Sequence, residues 1–224
     1  MKLSFPDFAG ALEAYFMGDK ATARDAFTRL AEANPENASL FIMLGNVYYA
    51  LGILDDALAN YRKATELEPG YGHAYYKLGV CAFRAGHLNE AREAFAKNLQ
   101  LEGQSHAMSN YWIGLIDNFL GRDEDALEAF GRLKRESPDS NFANFFMAQL
   151  LIKHARYQEA LQLIEELIAR TPDFVEAHFL QGQAYKGMYR NFDAIQAFRK
   201  ALELSPEDKR CKTELELLIE VAAL

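Results

Sequence analysis

Only two cysteines and one tryptophan occur among 224 residues, and basic residues are in deficit, with 24 Lys and Arg against 32 Asp and Glu. Cys81 and Cys211 lie far apart on apolar helical faces, so they cannot build a disulfide framework and read as buried thiols of a reducing compartment. The net charge of −8 argues against a polyanionic partner, because phosphate binding needs clustered Lys and Arg to displace counterions; nucleic acid is not expected. No apolar run approaches the roughly 20 residues that span a bilayer. The start, Met-Lys-Leu-Ser-Phe-Pro-Asp, has no apolar stretch before Pro6 and Asp7 that would act as a secretory signal. A cytoplasmic chain without direct membrane insertion is expected. Also missing are a Gly-rich phosphate loop, a Gly-x-Ser-x-Gly elbow, and His-Glu-x-x-His or paired Cys-x-x-Cys metal spacing. The five histidines, His73, His87, His106, His154 and His178, fall in different helices or turns with no carboxylate at ligand spacing. Neither a metal, a cofactor nor an enzymatic reaction is expected.

What is present is a period. Pro35, Pro69, Gly103, Pro138, Pro172 and Pro206 follow one another at intervals of 34, 34, 35, 34 and 34 residues. Ala23, Ala57, Ala91, Ala126, Ala160 and Ala194 keep the same beat at another phase, as do Gly45, Gly79, Gly114, Ala148 and Gly182. Three rows in register mean a repeat array, in which binding surfaces are extended and each unit stacks on its neighbours.

Each period reads as a helical hairpin. In the second, Leu40, Phe41, Leu44, Val47, Tyr48 and Leu51 recur at helical spacing before Gly52 stops the helix as a C-terminal cap. Asp55 and Asp56 then open a second helix at the positive end of its dipole, and Pro69 ends it. The sequon Asn37-Ala38-Ser39 is read as a helix start. Gly45 and its equivalents stand mid-helix, where glycine costs about 1 kcal/mol relative to alanine, so close approach of the paired helix must compensate. The Ala57 row marks the opposing contact, and Phe27, Tyr61, Phe95, Phe130, Ile164 and Phe198 fill space toward the next repeat.

On these residues the chain resembles the tetratricopeptide repeat (TPR) proteins: Phe41, Leu44, Gly45, Tyr48, Gly52, Ala57, Tyr61, Ala64 and Pro69 match that family's pattern throughout the second repeat. The resemblance implies an all-α fold, a right-handed superhelical solenoid of antiparallel helix pairs in a single domain, 1–224. The repeats would run 4–37, 38–71, 72–105, 107–140, 141–174 and 175–208, followed by a capping helix, 209–224. The departures are local. Gly10-Ala11 replaces Leu-Gly in the first repeat, and Asn98 and Gly103 replace Ala and Pro in the third. One extra residue near His106 predicts a looser or bent joint before the fourth repeat. The fifth has Ala148 for glycine and Ile164 for the aromatic, and the sixth has Tyr189 at the turn glycine.

Ser205-Pro206-Glu207-Asp208 reads as a capping box with proline in the first turn of the last helix. That helix carries an apolar stripe of Cys211, Leu215, Leu218 and Ala222, joined by Leu217 and Val221, opposite Lys209, Thr213, Glu216 and Glu220.

Charge separates the two helices of a repeat. Segments 38–51, 107–120 and 141–154 hold no charge, Asp117 alone and Lys153 alone, whereas 54–67, 123–136 and 157–170 hold five, eight and four. The resemblance implies that first helices line a concave inner surface. Its inward positions fall on Asn46, Tyr49, Tyr76, Lys77, Phe83, Tyr111, Trp112, Phe119, Phe142, Phe145, Phe146, Gln149 and Phe179, an aromatic-lined groove with scattered polar groups. Contiguous apolar surface of this kind marks an interaction site; the alternative is that half of these rings turn into the stack and complete the core. The five-residue clamp with which some members hold acidic tails would need Ile42, Asn46, Lys77, Met108 and Trp112 to be Lys, Asn, Asn, Lys and Arg, and only the first asparagine is kept. The function expected is a protein-interaction adaptor or scaffold that binds an apolar or amphipathic peptide segment. The alternative is self-assembly, with the groove or its rim receiving a second copy.

Overall fold

Turn chemistry sets the architecture. The computed structural model describes residues 5–101 and 106–222, and the side chains of 7–101 and 106–219. Among the described residues there are thirteen α-helices and no strand: α1 Phe5–Phe16, α2 Lys20–Ala33, α3 Ala38–Leu51, α4 Leu54–Leu67, α5 Gly72–Arg84, α6 Leu88–Leu99, α7 Ala107–Phe119, α8 Asp123–Glu136, α9 Asn141–Lys153, α10 Tyr157–Arg170, α11 Val175–Gly187, α12 Asn191–Leu204 and α13 Lys209–Ala222. They fit about six hairpins plus a terminal helix. Gly103 and the neighbouring joint, where a bend is expected, lie outside the described residues. The chain forms two compact units, residues 1–116 and 117–224, with the division inside α7.

Inside each hairpin one residue adopts the left-handed conformation that reverses the chain: Gly18 (φ 84°), Gly52 (79°), Gly86 (80°), Gly121 (71°), Ala155 (57°) and Tyr189 (60°). Glycine does this without a Cβ penalty, which the last two residues bear. Between hairpins proline acts through the residue before it, which its ring excludes from the helical region. Asn34, Glu68, Ser137, Thr171 and Ser205 accordingly close their helices at φ between −135° and −138°. Gln100, followed by Leu101 and not by proline, stays helical at φ −83°. Asn37 is the N-cap of α3, its side chain accepting from Ser39 N, as the helix-start reading of that sequon requires.

The alanine row is fully buried in all six repeats. The nearest atoms to three of the mid-helix glycines belong to the aromatic of the same hairpin. A Cβ on Gly45, Gly79 or Gly182 would stand 2.7, 2.8 or 2.5 Å from the ring of Tyr61, Phe95 or Phe198 in the same hairpin. Two of the rings also reach the next repeat, as expected: Phe95 stacks on Trp112 at 5.9 Å and 6°, and Phe130 on Phe146 at 5.1 Å and 11°.

α13 closes the second unit by burying Cys211 and Leu218, with Leu215 half-buried, against Phe179, Phe198 and Ala201. Two sequence expectations for it are corrected. Residues 205–208 form a turn outside the helix, and Asp208 is the cap, its Oδ1 accepting from Arg210 N at 2.9 Å and Cys211 N at 3.3 Å. Leu217 is exposed and not part of the buried stripe, because it follows Glu216 onto the outer face. The side chains of Glu220, Val221 and Ala222 lie outside the described residues.

Candidate interaction faces

In the first unit, α5, α6 and α7 bring four rings together around Trp112. Its centroid lies 5.0 Å from Phe83, 5.5 Å from Tyr111 and 5.9 Å from Phe95, and its Nε1 donates to Tyr76 Oη at 3.4 Å. Phe95 is core, whereas Tyr76, Phe83, Tyr111 and Trp112 are half-buried, so each packs one side and presents another. Burial raises the Tyr111 phenol above its usual range. Tyr49 lies under Arg84, whose Cζ is 4.7 Å from the ring centroid and whose Nη1 donates to Tyr49 O at 3.3 Å. Asn46 is committed to the fold: its Oδ1 accepts from Tyr61 OH at 2.8 Å. Lys77 is half-buried, and no carboxylate among the described residues pairs with it. Burial, followed by the charge of Lys77, lowers the pKa of His73.

In the second unit the predicted residues divide three ways. Phe119 (70% exposed), Phe142 (62%) and Gln149 lie open. Phe145 and Phe146 are half-buried, in edge contact with each other at 5.1 Å, with Phe145 also 5.7 Å from Phe174. Phe179 is buried, 5.7 Å from Phe198 and covered by the Arg210 guanidinium at 4.5 Å, so its ring belongs to the packing of α11 against α12 and α13.

Two histidines meet a carboxylate against expectation: His87, whose Nδ1 lies 3.4 Å from Glu90 Oε2, and His154. Asp123, 31 residues earlier, places Oδ2 at 2.8 Å from its Nε2 and 2.6 Å from Lys153 Nζ. Local spacing carries no trace of that pair. His178 is buried, its Nε2 2.8 Å from Pro172 O, which fits a packing role.

Sequence reasoning missed the exposed apolar residues beside the hairpin turns, Met17, Leu51 and Ile53 in the first unit and Leu120 and Phe192 in the second; they accompany Phe119, already a candidate, and Tyr189, which itself holds the left-handed position at 91% exposure. The available signal was bulky side chains where a helix end ordinarily turns polar. No helix among the described residues is long and apolar enough to cross a membrane.

Family profiles described as tetratricopeptide repeat match residues 8–70, 42–104, 147–209 and 109–140. The chain is 24% identical over 186 residues to anaphase-promoting complex subunit 3 of Schizosaccharomyces pombe, covering 83% of this chain and 28% of that protein. It is 24% identical over 203 residues to human protein O-mannosyl-transferase TMTC3, covering 89% and 22%. It thus spans less than a third of either relative. Among solved structures, YrrB, described as a TPR protein with an unusual peptide-binding site, superposes with a TM-score of 0.75 at 25% identity, over 90% of this chain and 100% of its own. MamA superposes at 0.71 and 23% identity, over 77% and 94%.

Proposed function

Because the chain belongs to the tetratricopeptide repeat family, we propose that it is a protein-interaction module that holds an apolar or amphipathic peptide segment on its first helices. The observation that carries this is the half-open aromatic surface of α5 and α7. Tyr76, Phe83, Tyr111 and Trp112 are half-buried, whereas Phe95, packed against Tyr76 and Trp112, is fully buried. Amphipathic rings held at fixed rotamers suit the centre of an interface. Similar proteins agree in kind, one being a subunit of a complex and one a TPR protein with a peptide-binding site. The reading assigns the chain no reaction, cofactor or nucleic acid; the transferase name of TMTC3 belongs to a protein of which this chain matches 22%.

A second reading, association with another copy through the rim, is favoured by the exposed turn residues. Tyr189 holds a left-handed φ of 60° at 91% exposure where four other repeats use glycine, and strain retained at an exposed aromatic is a mark of function. The test combines affinity capture from the native cell with sedimentation across a concentration range. Tyr76→Ala and Tyr111→Ala are expected to weaken a captured partner by about 1 to 4 kcal/mol each, as anchor truncations do. A partner held with unchanged affinity by both variants overturns the first reading. A tight dimer dissociated by Tyr189→Gly establishes the second.

A further inference from the structure

The first unit separates charge by helix. α3 has no charged residue, α5 has Lys77 and Arg84 with no Asp or Glu, and α7 as far as Ile116 has none. This face is therefore purely cationic in a chain of net charge −8. The two cations stand seven residues apart on α5, two turns and about 10 Å along one face, with Phe83 about 100° round the helix from that line and Trp112 packed against Phe83. Lys77 has no carboxylate partner among the described residues. Arg84 donates one N–H to Tyr49 O and lies over the Tyr49 ring, also without a carboxylate. Elsewhere in the same unit Arg24, Arg62 and Lys63 are all ion-paired. A half-buried ammonium gains from a counter-charge more than a solvated one, because the local dielectric is lower.

Resting on the interaction-module reading above, we propose that the α3–α5–α7 face binds an acidic peptide segment with apolar side chains interleaved. Its two carboxylates engage Lys77 and Arg84, and its apolar groups lie on Phe83 and Trp112. A polyproline-II chain advances about 3.1 Å per residue with three residues per turn, so acidic residues three positions apart lie on one side at about the spacing of the two cations. The arrangement is a stripe along one helix; of the five clamp positions it shares Lys77 and Trp112, where the clamp would need asparagine and arginine, and its second cation, Arg84, lies outside them.

The experiment is selection of a random-peptide phage library on the full chain and on Lys77→Glu. Far-UV circular dichroism verifies that the variant keeps its helices. The wild-type pool is expected to be rich in Asp or Glu at two-to-four-residue spacing with Phe, Leu or Trp between, and the Lys77→Glu pool to lose this bias and gain Lys and Arg. A synthetic peptide from the wild-type pool should shift Trp112 emission to the blue and bind Lys77→Glu at least about ten-fold more weakly, the size of one charge-assisted hydrogen bond. Peptides that shift Trp112 emission but carry no acidic bias and bind both proteins equally overturn this inference and leave the interaction-module reading standing. Pools that bind both proteins equally without moving Trp112 emission overturn both.

Discussion

At the residue scale, the glycine and ring pair explains two departures of the fifth repeat as one. Where Ala148 replaces glycine, Ile164 replaces the ring, and both remain fully buried: a smaller partner leaves room for the added methyl. The first repeat shows that the exchange is not obligatory, since Ala11 and Phe27 pack in one buried cluster. In the sixth repeat, whose Phe198 ring would lie 2.5 Å from a Cβ on residue 182, Gly182→Ala is expected to destabilise by about 1 to 3 kcal/mol through overpacking. Adding Phe198→Ile should return part of that loss. Urea denaturation of the single and double variants measures it, and additive losses would show that the two residues do not share one space.

At the element scale, α8 and α9 are tied by the carboxylate of Asp123 at the start of one and by Lys153 and His154 at the end of the other. The Lys153 hydrogen bond holds the Asp123 carboxyl below the usual carboxylate range against the opposing effect of its burial, and His154 adds to the lowering. A pKa lower in the folded than in the unfolded chain contributes stability that is complete above the unfolded value, about 3.9, and is lost as pH falls through the folded one. The melting-temperature gap between wild type and Asp123→Asn should therefore be constant above about pH 5 and shrink below about pH 4. Parallel curves down to acid would remove Asp123 from the acid limb. Helix ends were legible from the sequence because proline and glycine act through their own and adjacent dihedrals. The Asp123 clasp was not, because it joins residues about 30 apart whose meeting depends on how one hairpin packs on the next.

At the scale of the whole molecule, α13 covers the last hairpin of one unit while the single tryptophan reports on the other. Repeat arrays gain stability from nearest neighbours, so loss of an end element acts locally. Deleting residues 209–224 exposes Phe179, Phe198 and Ala201 and removes the Arg210 pair with Glu176. Stability should fall by several kcal/mol, on the scale of burying large apolar side chains. The midpoint seen by far-UV circular dichroism should drop more than that seen by Trp112 fluorescence, since Trp112 packs on Phe83, Phe95 and Tyr111 of the first unit. Unchanged midpoints would mean that α13 is a detached tail.

The sequence by itself determined the period, the hairpins, the buried alanine row and the family, because these follow from local conformational rules repeated six times. It also placed thirteen candidate residues on the first helices, without saying which side of each ring faces out. That was decided by tertiary packing. Trp112 and Phe146 stack one face on Phe95 and Phe130 of the preceding repeat, Phe179 is covered by Arg210 from α13, and Phe119 and Phe142 stay open. The physical reason is that a helix position specifies a direction, whereas exposure depends on what a neighbouring hairpin, 16 or more residues away, places in that direction.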